Sequence, residues 1–282
     1  MNEFKRVFIH IRPRLQLYVF LGFLFGLVIG KIPFDGIVLL GFLSWLSSCI
    51  GITLFNSYYD RDRGPVAGLE RPPTVSESLF YGSLFFKSIA LFTAVFVNLT
   101  FFAATIIVIT LSVLYSHKYF RWKSNGLVAV FFNFIIGAFT FLAANSLKIL
   151  VTTNQFVTGL FCSGFFLAGI YLLMQIHQVE EDRERGDVSF AVRFGKNSTI
   201  IFALVLFLLA GILGVSSFIF SELFFELSIL VPYFVIGILL TIVWKKKNGP
   251  LSDYKIMSRI TDYFSFTGSA LLIIIYIVSN TW

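Results

Sequence analysis

Two short stretches of this chain hold the residue types that could do chemistry. Asn56-Ser-Tyr-Tyr-Asp60-Arg-Asp-Arg-Gly64 and Gln178-Val-Glu-Glu-Asp182-Arg-Glu-Arg-Gly186 each place Asp four residues after an amide, then Arg, an acid, Arg and Gly. Only 15 Asp and Glu occur in 282 residues, so their concentration at two matching sites points to a shared task. On a helix, positions i and i+4 share a face. Asn56 then points with Asp60, and Gln178 with Asp182, with Glu181 beside them. Oxygen donors of this kind suit Mg²⁺, which is held through one or two carboxylates and substrate phosphates rather than by a full protein cage. The interspersed Arg61, Arg63, Arg183 and Arg185 can pair with those carboxylates or grip phosphate at two points. Facing each other across one cavity, the two clusters would hold a divalent cation and, through it, a phosphate. The plainer reading is a pair of solvated, salt-bridged loops that cap helices. Two matching copies, each joined directly to an apolar run, favour the functional reading.

The elements that position them are set by composition. The chain is 57% hydrophobic and 13% charged, with a mean hydropathy of +0.86. Soluble domains carry roughly 25% charged residues, so this is an integral membrane protein. Phe occurs 36 times, which suits lipid-facing and inter-helix surfaces. Cys49 and Cys162 fall inside apolar runs and read as small buried hydrophobes. The net charge of +7 reports topology rather than nucleic-acid binding. The basic amino end, through Ile11-Arg12-Pro13-Arg14, has no small-residue cleavage site and reads as a retained interfacial helix.

A spanning helix needs about 20 mostly apolar residues. The expected spans are 15–31, 36–58, 83–98, 100–116, 126–146, 156–176, 198–219, 223–244 and 262–281, with a tight hairpin near Asn98. All 22 Lys and Arg except Lys31 and Lys148 then fall on one side, with Lys87 placed at the start of the third span. That asymmetry predicts nine spans in the cell (inner) membrane, with the amino end and both motif loops cytoplasmic. The chain reads as a single domain over 1–282. The motifs end the second and sixth spans, so a four-helix repeat over about 15–116 and 126–244 is expected, with a site at the repeat interface.

Tyr115-Ser-His-Lys-Tyr-Phe-Arg-Trp-Lys123 lies on the same side. In a functional reading, Lys118, Arg121 and Lys123 neutralise a diphosphate and Tyr115 lines the cavity. In a structural reading it is an interfacial aromatic belt with inside positive charge. The Lys245–Lys247 run reads as a topology determinant. His177 abuts the second motif, as a base, a ligand or a structural donor. The sequence contains no Gly-rich phosphate loop, Ser-His-Asp set or Cys-rich metal motif.

These residues resemble the UbiA superfamily of intramembrane prenyltransferases. Its first motif, Asn-Asp-x-x-Asp followed by an Arg-Pro step, corresponds to Asn56–Asp60 and then Arg71-Pro72. Its second, Asp-x-x-x-Asp followed by a Thr/Ser-rich turn and Gly-Lys, corresponds to Gln178–Asp182 and then Gly195-Lys196. Its Tyr-Ser…Lys segment is similar to Tyr115-Ser116 through Lys123. Three positions depart from the pattern: Ser57, Gly64 and Gln178 stand where acids are usual.

The resemblance implies an all-α, polytopic fold of about nine helices around a central cavity that opens laterally to lipid. It implies Mg²⁺ and a polyprenyl diphosphate at the two motifs. Asp60 and Asp182 are then the essential ligands, supported by Asn56, Gln178 and Glu181. Arg71, Lys123, Lys196 and Arg63 hold the diphosphate, and Tyr58, Tyr59, Phe132 and Tyr171 supply π faces. The prenyl group passes to a lipophilic, aromatic acceptor of the quinone-precursor type within membrane lipid. Two alternatives stay open: a degenerate member that only binds isoprenoid lipid, and a small-molecule transporter. A transporter would place its acids near mid-membrane.

Overall fold

The computed structural model describes residues 2–66, 68–148, 153–244 and 250–281. The elements are helical throughout those residues, as the apolar periodicity requires. A short α1 (Glu3–His10) meets α2 (Pro13–Ile29) at a 43° bend. Pro13 opens α2 at a first-turn position where its missing N–H costs nothing. Then follow α3 (Gly36–Asp60), α4 (Glu77–Ala94), α5 (Leu99–Ser116), α6 (Gly126–Asn145), α7 (Asn154–Gln175) and a short α8 (Val179–Glu184). The chain ends with α9 (Phe190–Phe220), α10 (Phe224–Trp244), α11 (Pro250–Asp262) and α12 (Gly268–Thr281), the last two joined through a π turn.

Side chains set several boundaries. Asp35 caps α3 by accepting from Val38 N–H at 2.8 Å. Asn98 caps α5 by accepting from Phe101 N–H at 2.9 Å, which makes the expected break between α4 and α5. Gly195, at φ 79°, kinks α9 after its first turn.

Every expected span is matched by a helix. By length and composition, seven described helices can cross a membrane, or eight if α1 and α2 form one bent span. This is a multi-pass membrane protein. The count of nine is reduced by α4, which is 18 residues long and carries Glu77 and Lys87. It begins at Glu77 rather than near 83, so Lys87 is not a surface charge at a helix start. It is buried against Gly51 and Phe55 of α3, with its ammonium 3.8 Å from the Phe55 ring centre. Phe55 lies about 8 Å along α3 from Asp60. The Lys245–Lys247 run lies outside the described residues.

In lipid, polar groups must find partners inside the bundle. Trp45 Nε1 donates to Thr140 Oγ1 at 3.0 Å, Ser44 Oγ to the Ala90 carbonyl at 3.0 Å, and Tyr276 to the Ile32 carbonyl at 2.8 Å. Small residues let backbones approach: a Cβ on Gly137 of α6 would collide with the Ser163 carbonyl of α7. Large apolar side chains such as Leu43, Phe92, Phe131 and Leu239 remain on the outside. A membrane supplies their apolar surroundings.

Candidate active site

The first motif completes α3. Its last turn carries Asn56 and Asp60, and Arg61, in the left-handed region at φ 51°, stops the helix. The reversal turns Asp62 back into the bundle, between Arg185 at 2.8 Å and Arg12 at 3.5 Å. The second motif breaks its helix: α7 tightens into a 3-10 turn over Ile176–Gln178, and α8 begins at Val179. Gly186, at φ 77°, ends α8, and Asp187 N–H donates to the Asp182 carbonyl at 2.9 Å. Gln178 and Asp182 therefore do not ride one unbroken helix, yet both line the same chamber.

A third segment closes over them. Val188 N–H donates to the Ser124 carbonyl and Gly126 N–H to the Val188 carbonyl, each at 2.9 Å. Arg121 grips Asp187 with two bonds of 2.9 and 2.8 Å. These ties press the 3-10 turn Trp122–Ser124 against the second motif and drive Lys123 inward, where it pairs with Asp60. Burial pushes the Lys123 ammonium down to about 7, against the pull of Asp187 and Asp182. An anionic partner is what keeps its proton there.

Arg185 joins the motifs. It donates to the Asp60 carbonyl at 3.2 Å, to Asp62 at 2.8 Å and to Asp182 at 2.8 Å, and lies 3.6 Å from Asp187. Burial alone would lower its pKa, but its bonds to Asp62 and Asp182 outweigh that and raise it above the usual guanidinium value.

The result is a polar chamber of about 200 Å³. Asn56, Asp60, Gln178, Asp182, Lys123 and Tyr115 of the expected set line it, with Phe132 and Tyr171. Tyr115 stacks on Phe132 with ring centres 4.2 Å apart, and its hydroxyl meets that of Tyr171 at 3.2 Å. Asn56 accepts from Ser116 Oγ at 2.9 Å.

Below lies a second chamber of about 200 Å³, almost wholly apolar, among α2, α3, α6, α7, α9, α10 and α12. The two share Leu15, Ile52, Thr53, Phe132 and Asn133 as wall residues, so a charged chamber and an oily one lie side by side. Cys49 and Cys162 are both free and buried, and both face the apolar part.

Other expected residues lie elsewhere. Glu181 accepts from the backbone N–H groups of Arg63 at 2.8 Å and Gly64 at 3.2 Å, clamping the first motif from the second. It is not among the chamber-lining residues. A Cβ at Gly64 would stand 2.9 Å from Glu181 Oε2, so an acid there would meet like charge. Arg63 and Arg71 have exposed side chains outside the lining. Lys196 pairs with buried Asp253, also outside it. Tyr59 packs at a tilt against the rings of Phe55 and His117 and is not among the chamber-lining residues. His177 is buried against Tyr254 and does not line it either.

Sequence reasoning missed Asp62, Asp187 and Arg12 as chamber residues. The alternation of acids and arginines after each motif was the available signal. Ser57, at a position where an acid was expected, accepts from Arg12 Nη2 at 2.9 Å.

The oxygen-donor chemistry fits a hard divalent cation. No cluster of three or more His, Cys, Asp or Glu side chains stands ready for a metal among the described residues. The oxygen donors on the chamber wall are Asp60 and Asp182 with the amides of Asn56 and Gln178, a set of the kind Mg²⁺ uses together with phosphate oxygens.

A family model described as the UbiA prenyltransferase family matches residues 18–258. Among solved structures, a UbiA homologue from Archaeoglobus fulgidus bound to GPP and Mg²⁺ aligns with a TM-score of 0.77 at 20% identity, covering 100% of both chains. The same organism's homologue bound to DMAPP and Mg²⁺ gives 0.73 at 20% identity, covering 95% of this chain and 99% of that one. An apo UbiA homologue from Aeropyrum pernix K1 gives 0.65 at 16% identity, covering 95% and 98%. At such identities the likeness establishes the fold. No curated protein sequence matches significantly.

Proposed function

Because the chain belongs to the UbiA prenyltransferase family, we propose that it moves a prenyl group from a prenyl diphosphate to a lipophilic acceptor, an aromatic quinone precursor. One observation carries this reading: the charged chamber adjoins the apolar one, with five lining residues common to both. An amphiphile with an anionic head and an isoprenoid tail matches that space.

Asp60 and Asp182 would hold Mg²⁺, with Asn56 and Gln178 as neutral oxygen donors beside them. Held there, Mg²⁺ would supply positive charge to balance what builds on the departing diphosphate. Lys123 supplies a further cation at the chamber wall, which makes it the main diphosphate contact, ahead of Arg71, Lys196 and Arg63. The allylic C–O bond breaks with its electron pair leaving on diphosphate. The acceptor carbon then bonds to the prenyl carbon and gives up its proton, which the departed diphosphate can accept. Tyr115, Tyr171 and Phe132 line the space where positive charge would develop, and aromatic rings there would stabilise it. The apolar walls exclude water that would otherwise capture the cation.

The Lys and Arg distribution supports a cell-membrane location with the amino end and motif loops cytoplasmic. The likeness to homologues solved with GPP or DMAPP and Mg²⁺ supports the donor class. The test is release of inorganic diphosphate from allylic diphosphates by the purified protein in liposomes. Mg²⁺-dependent release that requires an aromatic acceptor is expected. Binding of prenyl diphosphate with no release under any acceptor would leave only isoprenoid binding and overturn the enzyme reading.

A further inference from the structure

The charges that line the polar chamber already balance. Asp60, Asp62, Asp182 and Asp187 face inward with Arg12, Lys123 and Arg185, and Arg121 closes on Asp187 from the rim. Each carboxylate has a cation beside it: Lys123 on Asp60, Arg12 and Arg185 on Asp62, the same Arg185 on Asp182, and Arg121 on Asp187. Bringing a bare divalent ion into such a site would add two uncompensated charges in a poorly solvated space, which is strongly unfavourable. A diphosphate brings the missing negative charge with it.

We infer that Lys123 and Arg185 are resident counter-cations, which yield Asp60 and Asp182 only when metal and diphosphate arrive together. The inference rests on the proposed function and deepens it, since it sets how this chain's own residues admit the donor. The two cations differ in what holds them. Lys123 has Asp60 as its close partner, so losing it frees an ammonium for phosphate. Arg185 keeps Asp62 when Asp182 is taken, so it stays in place as a positioning residue that holds the two motifs together. Gln178 and Ser57, standing where acids are usual, belong to the same arrangement. With fewer acids, the internal cations suffice to neutralise the free site.

The consequence is obligate coupling: metal alone binds poorly, and metal and diphosphate each strengthen the other's binding by the same factor. Calorimetry on the full chain in nanodiscs tests this with three titrants: Mg²⁺ alone, geranyl diphosphate alone, and geranyl diphosphate with Mg²⁺. In the wild type, Mg²⁺ affinity should rise at least about tenfold when geranyl diphosphate is present. In Lys123→Met and in Arg185→Gln, Mg²⁺ alone should bind more tightly than in the wild type, while geranyl diphosphate with Mg²⁺ binds more weakly. Arg185→Lys should restore part of the wild-type pattern. General damage would lower both affinities together, and that result overturns the inference, as would wild-type Mg²⁺ affinity that is indifferent to diphosphate. If a variant fails to fold, the wild-type coupling alone decides. If geranyl diphosphate does not bind the wild type with Mg²⁺ at all, the proposed function falls as well. If it binds without coupling, only this inference falls.

Discussion

Glu181 offers a sharp distinction, because its sequence position suits a metal ligand and its structure makes it a clamp. Its carboxylate holds the N–H groups of Arg63 and Gly64 at 2.8 and 3.2 Å and is 20% exposed. Hydrogen bonds to a charged group contribute about 1.5–3 kcal/mol each when well buried, and partial exposure screens that. Glu181→Ala should therefore cost about 2 kcal/mol, a fall of about 5 °C in unfolding temperature. It should also let the segment after Asp60 drift, lowering diphosphate release by about tenfold or more. Glu181→Gln keeps one carbonyl oxygen as acceptor and should retain at least half of both properties. The assay is thermal unfolding in detergent alongside the Mg²⁺ dependence of diphosphate release. A clamp predicts that the Gln variant keeps the wild-type Mg²⁺ requirement. If Gln and Ala raise the Mg²⁺ requirement equally, with no change in unfolding temperature, Glu181 is a ligand and the reasoning is refuted.

Three further outcomes follow from the same geometry. Arg121→Ala removes the two-point grip on buried Asp187 and should destabilise the protein by about 2 kcal/mol after allowance for the arginine's exposure, read by unfolding temperature. Cys162→Phe projects a ring into the apolar chamber and should depress use of long prenyl diphosphates at least tenfold more than short ones, read by competition between chain lengths. Cysteines placed at exposed Lys118 and Lys148 should label from opposite sides of sealed cells, with position 118 reached only from the cytoplasm; Cys49 and Cys162 are buried and give little background.

Much of the fold is legible because lipid imposes a simple code: apolar runs of spanning length, punctuated by Asp35, Asn98 and Asn125, whose side chains cap the following helices. The shortfall at α4 has a physical cause. Its early start at Glu77 carries Lys87 inward, where Phe55 and the close approach at Gly51 accommodate the long side chain. At the site, the helical spacing of Asn56 and Asp60 correctly puts both on the chamber wall. The inward turn of Asp62 depends on a left-handed residue, Arg61, whose type gives no hint of that conformation. Asp187 owes its place to a backbone bridge between segments more than sixty residues apart, which local spacing cannot reveal. Arg71 and Lys196 show the converse: a motif position fixes order along the chain, while loop path and a partner such as Asp253 decide where the charge ends up.

The central claim is that Asp60 and Asp182 serve one ion, and Mn²⁺ in place of Mg²⁺ makes that ion visible. Electron paramagnetic resonance of the protein with Mn²⁺ and geranyl diphosphate should show a bound ion coupled to phosphorus, and Asp60→Asn and Asp182→Asn should each abolish it while the protein remains folded. An undiminished bound signal in either single variant would contradict the account.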